Sequence, residues 1–184
     1  MGRRDDLADC LAAGPETFRR RFPTVVERYD LDARTDAFDD GIEAFDASTV
    51  LPAGERVEGW TRELVWRLWL LDDAPVGLTL SGPAYQDNPI QYVNRTFRDL
   101  TGYSLEEVLD ENPRFLQGPD TEPGPVADLR EATDIWERVT VELRNYRRDG
   151  TPFRNRVSLA PITGPDGSVT HWLGIQRQVG DERE

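Results

Sequence analysis

Lysine is missing from this chain: all 22 of its basic residues are arginines, set against 35 aspartates and glutamates for a formal charge of −13. That balance leaves no basic face, so nucleic acid is disfavoured as a direct partner, because phosphate neutralisation dominates such binding. Cysteine and histidine occur once each, as Cys10 and His171. A single cysteine excludes an intrachain disulfide framework and a thiolate metal cluster. A single histidine leaves classical zinc sites and a histidine-based triad short of material. No apolar run approaches the roughly 18 residues of a membrane-spanning helix. The start, Met1-Gly2-Arg3-Arg4-Asp5-Asp6, lacks the apolar stretch of a signal peptide. The expectation is a cytoplasmic protein with no membrane partner. Dense carboxylates without lysine suit solubility in high salt, as in a halophilic archaeon, although a GC-rich genome also favours arginine.

What is present is enough for a hydrophobic core: 184 residues, 38% of them hydrophobic, allow one domain plus an extension. The expected division is a helical extension over 1–54, an amphipathic cap helix over 55–73, a domain over 74–179 and a tail over 180–184. In the extension Phe18, Phe22, Val25, Val26 and Tyr29 fall at helical spacing, with Pro23 expected to split the stretch into two short helices. Phe38, Ile42 and Phe45 repeat the spacing before Pro52-Ala53-Gly54 breaks the chain. A stronger helix is expected over 55–71. Val57, Trp60, Leu64 and Leu68 form its stripe, and Val65, Trp66, Trp69, Leu70 and Leu71 extend the apolar surface almost all the way round. Two readings of that girdle stand, packing within the chain or the surface of a homodimer, and a homodimer through 55–71 is the expectation.

Beyond Pro75 the pattern changes. Strands are expected at 76–80 and 90–93, a short helix at 94–100 ending at Gly102, a capping box at Ser104 and Glu107, and a helix to about 132. Three longer strands follow near 136–147, 152–162 and 168–178, joined by Arg148-Asp149-Gly150 and Gly164-Pro165-Asp166-Gly167. This order predicts an α+β fold, a five-stranded antiparallel sheet with short helices on one face. No phosphate-binding loop or dinucleotide fingerprint appears, and no acid–base pair suited to a substrate, so an enzyme is not expected.

One stretch, Asn112-Pro113-Arg114-Phe115-Leu116-Gln117-Gly118, is a signature. With it go Asp87-Asn88-Pro89-Ile90, Tyr92-Val93-Asn94, Thr101-Gly102-Tyr103-Ser104, Gly118-Pro119-Asp120-Thr121, Asn145-Tyr146, Asp149-Gly150, Phe153 with Asn155, and Gly174-Ile175-Gln176. Together these resemble, over some 100 residues and in register, the LOV (light-oxygen-voltage) subclass of PAS domains, blue-light receptors that bind flavin. The resemblance implies that Arg114 and Arg130 hold a flavin phosphate, a role planar guanidinium forks suit. It puts Asn112 and Gln117 near the ribityl chain, and Asn145 and Asn155 at the pyrimidine edge. Gln176 goes to the redox-sensitive ring nitrogen. Thr79, Ile90, Phe97, Leu116, Val157 and Leu159 would form apolar walls. Period-two alternation sets Trp172, Gly174 and Gln176 on one sheet face, with Gly174 leaving room for a flat ring.

The short connection 118–123 favours FMN over FAD. The departure is Pro113, which stands where the family carries its photoreactive cysteine; the usual cysteinyl adduct has no nucleophile here. Asp110-Glu111 is a second departure, expected to make the phosphate end more acidic. The expected function is a blue-light signalling domain working by photoreduction of its flavin to a radical, with Trp172 the best-placed electron donor and an unknown downstream partner. A light-independent flavin redox sensor, or a PAS interaction module with an empty pocket, are the alternatives.

Overall fold

The structure, a computed structural model, describes residues 2–180, so most of the expected tail lies outside the described residues. Five antiparallel strands run in the order β2-β1-β5-β4-β3: β1 (Gly77–Ser81), β2 (Ile90–Val93), β3 (Val139–Tyr146), β4 (Pro152–Thr163) and β5 (Val169–Gln178). Each expected strand exists, with its ends displaced by up to three residues at 136–139. The reason there is Trp136, whose left-handed backbone (φ 57°) ends the preceding helix and delays the strand. Gly150 (φ 86°) and Gly167 (φ 83°) turn the two hairpins in a conformation that favours glycine.

The helices form two layers. The N-terminal layer has α1 (Arg3–Ala12), α2 (Pro15–Tyr29), α3 (Thr35–Asp40) and α4 (Gly59–Leu70). On the opposite sheet face lie α5 (Arg95–Thr101), α6 (Leu105–Val108), a 3-10 turn over Pro113–Leu116 and α7 (Pro123–Ile135). Asn94 starts α5: its Oδ1 accepts from Phe97 N at 3.0 Å and from Leu78 N at 2.8 Å, tying the helix start to β1.

Two expectations about the extension and cap helix are corrected. First, Pro23 does not split its segment; α2 is continuous through it. The cost of an interior proline, about 3 kcal/mol, is offset by burial of Phe18, Phe22 and Val25 on one stripe. Secondly, α4 begins at Gly59 rather than 55, because Gly54 (φ 92°) turns the chain in left-handed backbone and Glu58, the N-cap, is extended (φ −135°, ψ 164°). Of the apolar girdle on the cap helix, Trp66 and one side of Trp69 pack against the chain's own extension. Trp66 is 1% exposed, 5.8 Å from the Phe18 ring edge-on and 6.3 Å from Phe38 in a stacked arrangement. Trp69 packs on Phe45 at 5.1 Å, with Arg34 over its ring at 4.9 Å.

Two buried polar groups join the layers. Asp72 accepts from Tyr92 Oη at 2.7 Å and Arg95 N at 3.1 Å, and pairs with Arg34 and Arg98, so one carboxylate connects extension, sheet and α5. His171 lies on the face of β5 that meets α4, its ring nitrogens 2.9 Å from Thr61 Oγ1 and 2.7 Å from Thr170 Oγ1. Burial pushes its pKa down to about 4. A histidine depressed in the folded state is protonated first in the unfolded chain, so its stabilising effect is complete above its ordinary value near 6.5 and is lost as pH falls towards 4. Between pH 7 and pH 5 the chain should lose about 2 kcal/mol of stability through this residue. Urea unfolding of wild type and His171→Gln at both pH values checks this; the variant should lose about 2 kcal/mol less over the same interval. Equal pH dependence in the two proteins would remove His171 as the cause.

Candidate functional site

Period-two alternation decides which side chains meet between the sheet and the second helical layer. Thr79 and Ser81 from β1, Leu143 and Asn145 from β3, Val157 and Leu159 from β4, and Trp172, Gly174 and Gln176 from β5 line one cavity of about 310 Å³. Its far wall is Asn112, Pro113, Arg114, Leu116 and Gln117, followed by Val126, Leu129, Arg130, Thr133 and Asp134 of α7. A small second core of Val141, Leu143 and Val157 against Val126 and Leu129 seats α7 on the sheet. Ala84, Asp87 and Asn88 complete the rim.

One end of the floor is an amide cluster. Asn155 Nδ2 donates to Asn145 Oδ1 at 2.9 Å and to Gln176 Oε1 at 3.1 Å, while Asn155 Oδ1 is buried without a partner. Unpaired buried acceptors are costly, on the order of 1–3 kcal/mol each. Trp172 supplies an unpartnered donor: it is 2% exposed, lines the cavity, and its Nε1–H has no acceptor. Four residues of strand, about 13 Å, separate it from Gln176. The floor therefore carries hydrogen-bonding groups at both ends and aliphatic side chains between, the pattern of a site for a flat, partly polar ring.

Cations stand on the opposite wall. Arg114 Nη1 donates to Asp87 Oδ2 at 2.7 Å and Nη2 pairs with Oδ1, which holds the Asp87 carboxyl below the usual carboxylate range. Asn112 is fixed at both ends: Oδ1 accepts from Arg114 N at 2.8 Å, and Nδ2 donates to Asp87 O at 2.7 Å. Arg130 has no ion pair among the described residues.

Of the residues anticipated for the site, Thr79, Asn112, Arg114, Leu116, Gln117, Arg130, Asn145, Val157, Leu159, Gly174 and Gln176 line the cavity, as does Pro113. Asn155 stands behind Asn145 and Gln176 and reaches the site through them. Ile90 and Phe97 do not line it. Both are fully buried in the main core, Phe97 because α5 lies so close to β1 that a Cβ at Gly77 would sit 3.3 Å from its Cα. Gly174 also differs from its expected role: a Cβ there would meet Thr79 Oγ1 at 2.2 Å, so its space is already used by the opposite strand. Asp110 lines a separate polar cavity with Gln91 and Glu58, so the acidic groups of the site are Asp87 and Asp134.

Sequence reasoning missed Ser81, Leu143 and, apart from Arg130, the α7 face. The signals were there, since Val126, Leu129, Arg130 and Thr133 follow i, i+3, i+4, i+7 spacing. Asp87 and Asn88 carried no periodic signal; their left-handed backbone (φ 66° and 48°) brings them to the rim.

A family model for the PAS domain matches residues 75–180. The bacterioopsin transcriptional activator of Halobacterium salinarum is 46% identical over 111 residues, covering 60% of this chain and 16% of its own length. Blue-light-activated histidine kinase 1 of Erythrobacter litoralis is 44% identical over 106 residues, 58% of this chain and 29% of that protein. The chain thus spans well under half of these curated relatives. The solved LOV domain of the Erythrobacter litoralis EL346 blue-light-activated histidine kinase is 39% identical, superposes with a TM-score of 0.55, and is covered over 98% of its chain and 58% of this one. With a five-stranded antiparallel sheet forming one wall of the cavity, this chain belongs to the PAS domain family, and the solved structures it resembles include LOV domains.

Proposed function

We propose that this chain is a light-sensing signalling domain that binds FMN and works without a cysteinyl adduct. The observation that carries the reading is the amide cluster with its unpartnered Asn155 Oδ1 at one end of a flat cavity, and two arginines on the facing wall. Those groups fit a flavin. Asn155 has both N–H bonds committed inside the cluster, so Asn145 and Gln176 retain amide N–H groups for the ring edge. Arg130 and Arg114 suit a phosphate, and Asn112 and Gln117 lie where polyol hydroxyls would pass. When bound, FMN would supply blue-light absorption and one-electron acceptance.

The residues then have distinct tasks. Leu116, Val157 and Leu159 exclude water from the ring. Pro113 presents no nucleophilic atom to it. Gln176 is the responsive group: its amide can offer either a donor or an acceptor to the same partner by turning over. Asn155 Nδ2, now donating to Gln176 Oε1, would lose that acceptor in the turned state. Because Gln176 shares β5 with His171, which contacts α4, a shift of the strand reaches the N-terminal layer through Thr61. Trp172, lining the same cavity, is the nearest indole to serve as electron donor.

The test is the visible spectrum of the purified protein before and after blue light. A yellow protein that releases FMN on denaturation, and that under light plus an external reductant develops a paramagnetic resonance signal, is the expected result. Replacing Arg114 and Arg130 together by alanine should weaken FMN binding by about 3–6 kcal/mol, from two charge-assisted contacts. A colourless protein that takes up no added flavin refutes the reading, and coloured protein inert to light would make it a dark redox sensor instead.

A further inference from the structure

We propose that Asp87 sets how strongly this site distinguishes a phosphorylated flavin from an unphosphorylated one, by competing with the phosphate for Arg114. The inference rests on the flavin reading above. Both Nη atoms of Arg114 are engaged by the two Asp87 carboxylate oxygens, the same edge-on fork a phosphate would use. The pair is exposed at the rim, and geometry rather than burial holds the carboxylate: Asn112 Nδ2 lies 3.4 Å from its Oδ1. The Asp87 carbonyl accepts from Asn112 Nδ2 at 2.7 Å, and successive left-handed residues at 87 and 88 define the turn that presents the carboxylate. Asn112 in turn accepts from Arg114 N, so acid, amide and base form one closed unit.

The consequence is a division of labour. Arg130, with no ion pair among the described residues, is available to an incoming phosphate directly, while Arg114 must exchange one anion for another. A phosphate gains less from Arg114 than it would from a free guanidinium, and it also meets the Asp87 charge at close range. Riboflavin, which has the same ring and polyol but no phosphate, meets neither effect.

Removing the charge should therefore act on one ligand only. Asp87→Asn retains the shape and suits left-handed backbone. The dissociation constants of FMN and riboflavin for the flavin-stripped full chain, read by quenching of flavin fluorescence, form the measurement. Asp87→Asn should tighten FMN on the order of tenfold and change riboflavin less than about twofold. Asp87→Gly, also compatible with the backbone, should give the same selective gain. In an Arg114→Ala background the gain should fall to about threefold or less, which separates competition for Arg114 from simple repulsion. An unchanged ratio of FMN to riboflavin affinity, or a full gain without Arg114, overturns the proposal while the flavin reading stands. Failure of every variant and wild type to bind either flavin overturns both.

Discussion

Substituting Arg67 with alanine is expected to destabilise the chain by about 3–5 kcal/mol, the range for breaking a buried charge network by removing one partner. Arg67 is a fully buried guanidinium in the last turn of α4. Burial lowers its pKa from the ordinary value, opposed by its ion pair with Glu63 one turn earlier. Nη1 donates to the Leu11 carbonyl at 2.9 Å and to Ala13 O at 2.5 Å, groups at the C-terminal end of α1 that have no helical partner of their own. The guanidinium also lies 4.2 Å from the Phe18 ring centre and 4.8 Å from that of Trp60. Alanine would leave two carbonyls unpaired, strand Glu63 beside an apolar cluster, and open a cavity between two aromatic rings. Urea denaturation followed by tryptophan fluorescence and by far-UV dichroism gives the value. A loss under about 1 kcal/mol would show that the extension is held without this residue. Arg67→Lys should recover only part of the loss, since one ammonium cannot reach both carbonyls and Glu63 in the same geometry.

The second large effect is photochemical. Pro113→Cys should convert the light response from one with no adduct into one with a reversible, adduct-type loss of visible absorption. Position 113 lines the cavity as the first residue of a 3-10 turn. The turn is held by the Asn112 side chain accepting from Arg114 N, a bond the substitution leaves in place. A residue with a backbone N–H is tolerated there, because the first position of a helical turn has no internal acceptor for it. Absorption before, during and after a blue-light pulse distinguishes the two proteins. If the variant binds FMN and shows no such loss, the thiol is misplaced and the cavity departs from that of the related domains. Gln176→Leu supplies the complementary arm. It should leave FMN binding within about tenfold, since one neutral hydrogen bond contributes on the order of 1 kcal/mol, and should abolish any light-dependent change in the N-terminal layer. Limited proteolysis of the extension in darkness and in light would read that change, and a response surviving in Gln176→Leu would exclude this amide as the relay.

Much of the domain was legible in the residues because its rules are local. Alternation along the last strand put Trp172, Gly174 and Gln176 on one face without reference to anything distant. The capping box of Ser104 and Glu107 depends on a spacing of three residues and formed as its sequence required. The signature at 112–118 likewise carried its arginine, amides and proline to the cavity wall.

Other features were decided only when distant segments met. Ile90 and Phe97 are apolar in a way that fits either a pocket wall or a core, and only the close approach of α5 to β1 assigned them to the core. Pro23 violates a local rule, yet the helix continues because burying Phe18, Phe22 and Val25 outweighs one lost hydrogen bond. Whether Trp66 faces a second molecule or its own chain is invisible to periodicity, which reports that a stripe must be covered and not by what; here Phe18 and Phe38 cover it. The pairing of Asp87 with Arg114, 27 residues apart, depends on two left-handed residues turning a loop to the rim. Charges attract over distances that sequence order does not encode, so residue identity alone determined the chemistry available to this site, and the tertiary structure determined which charges were already spoken for.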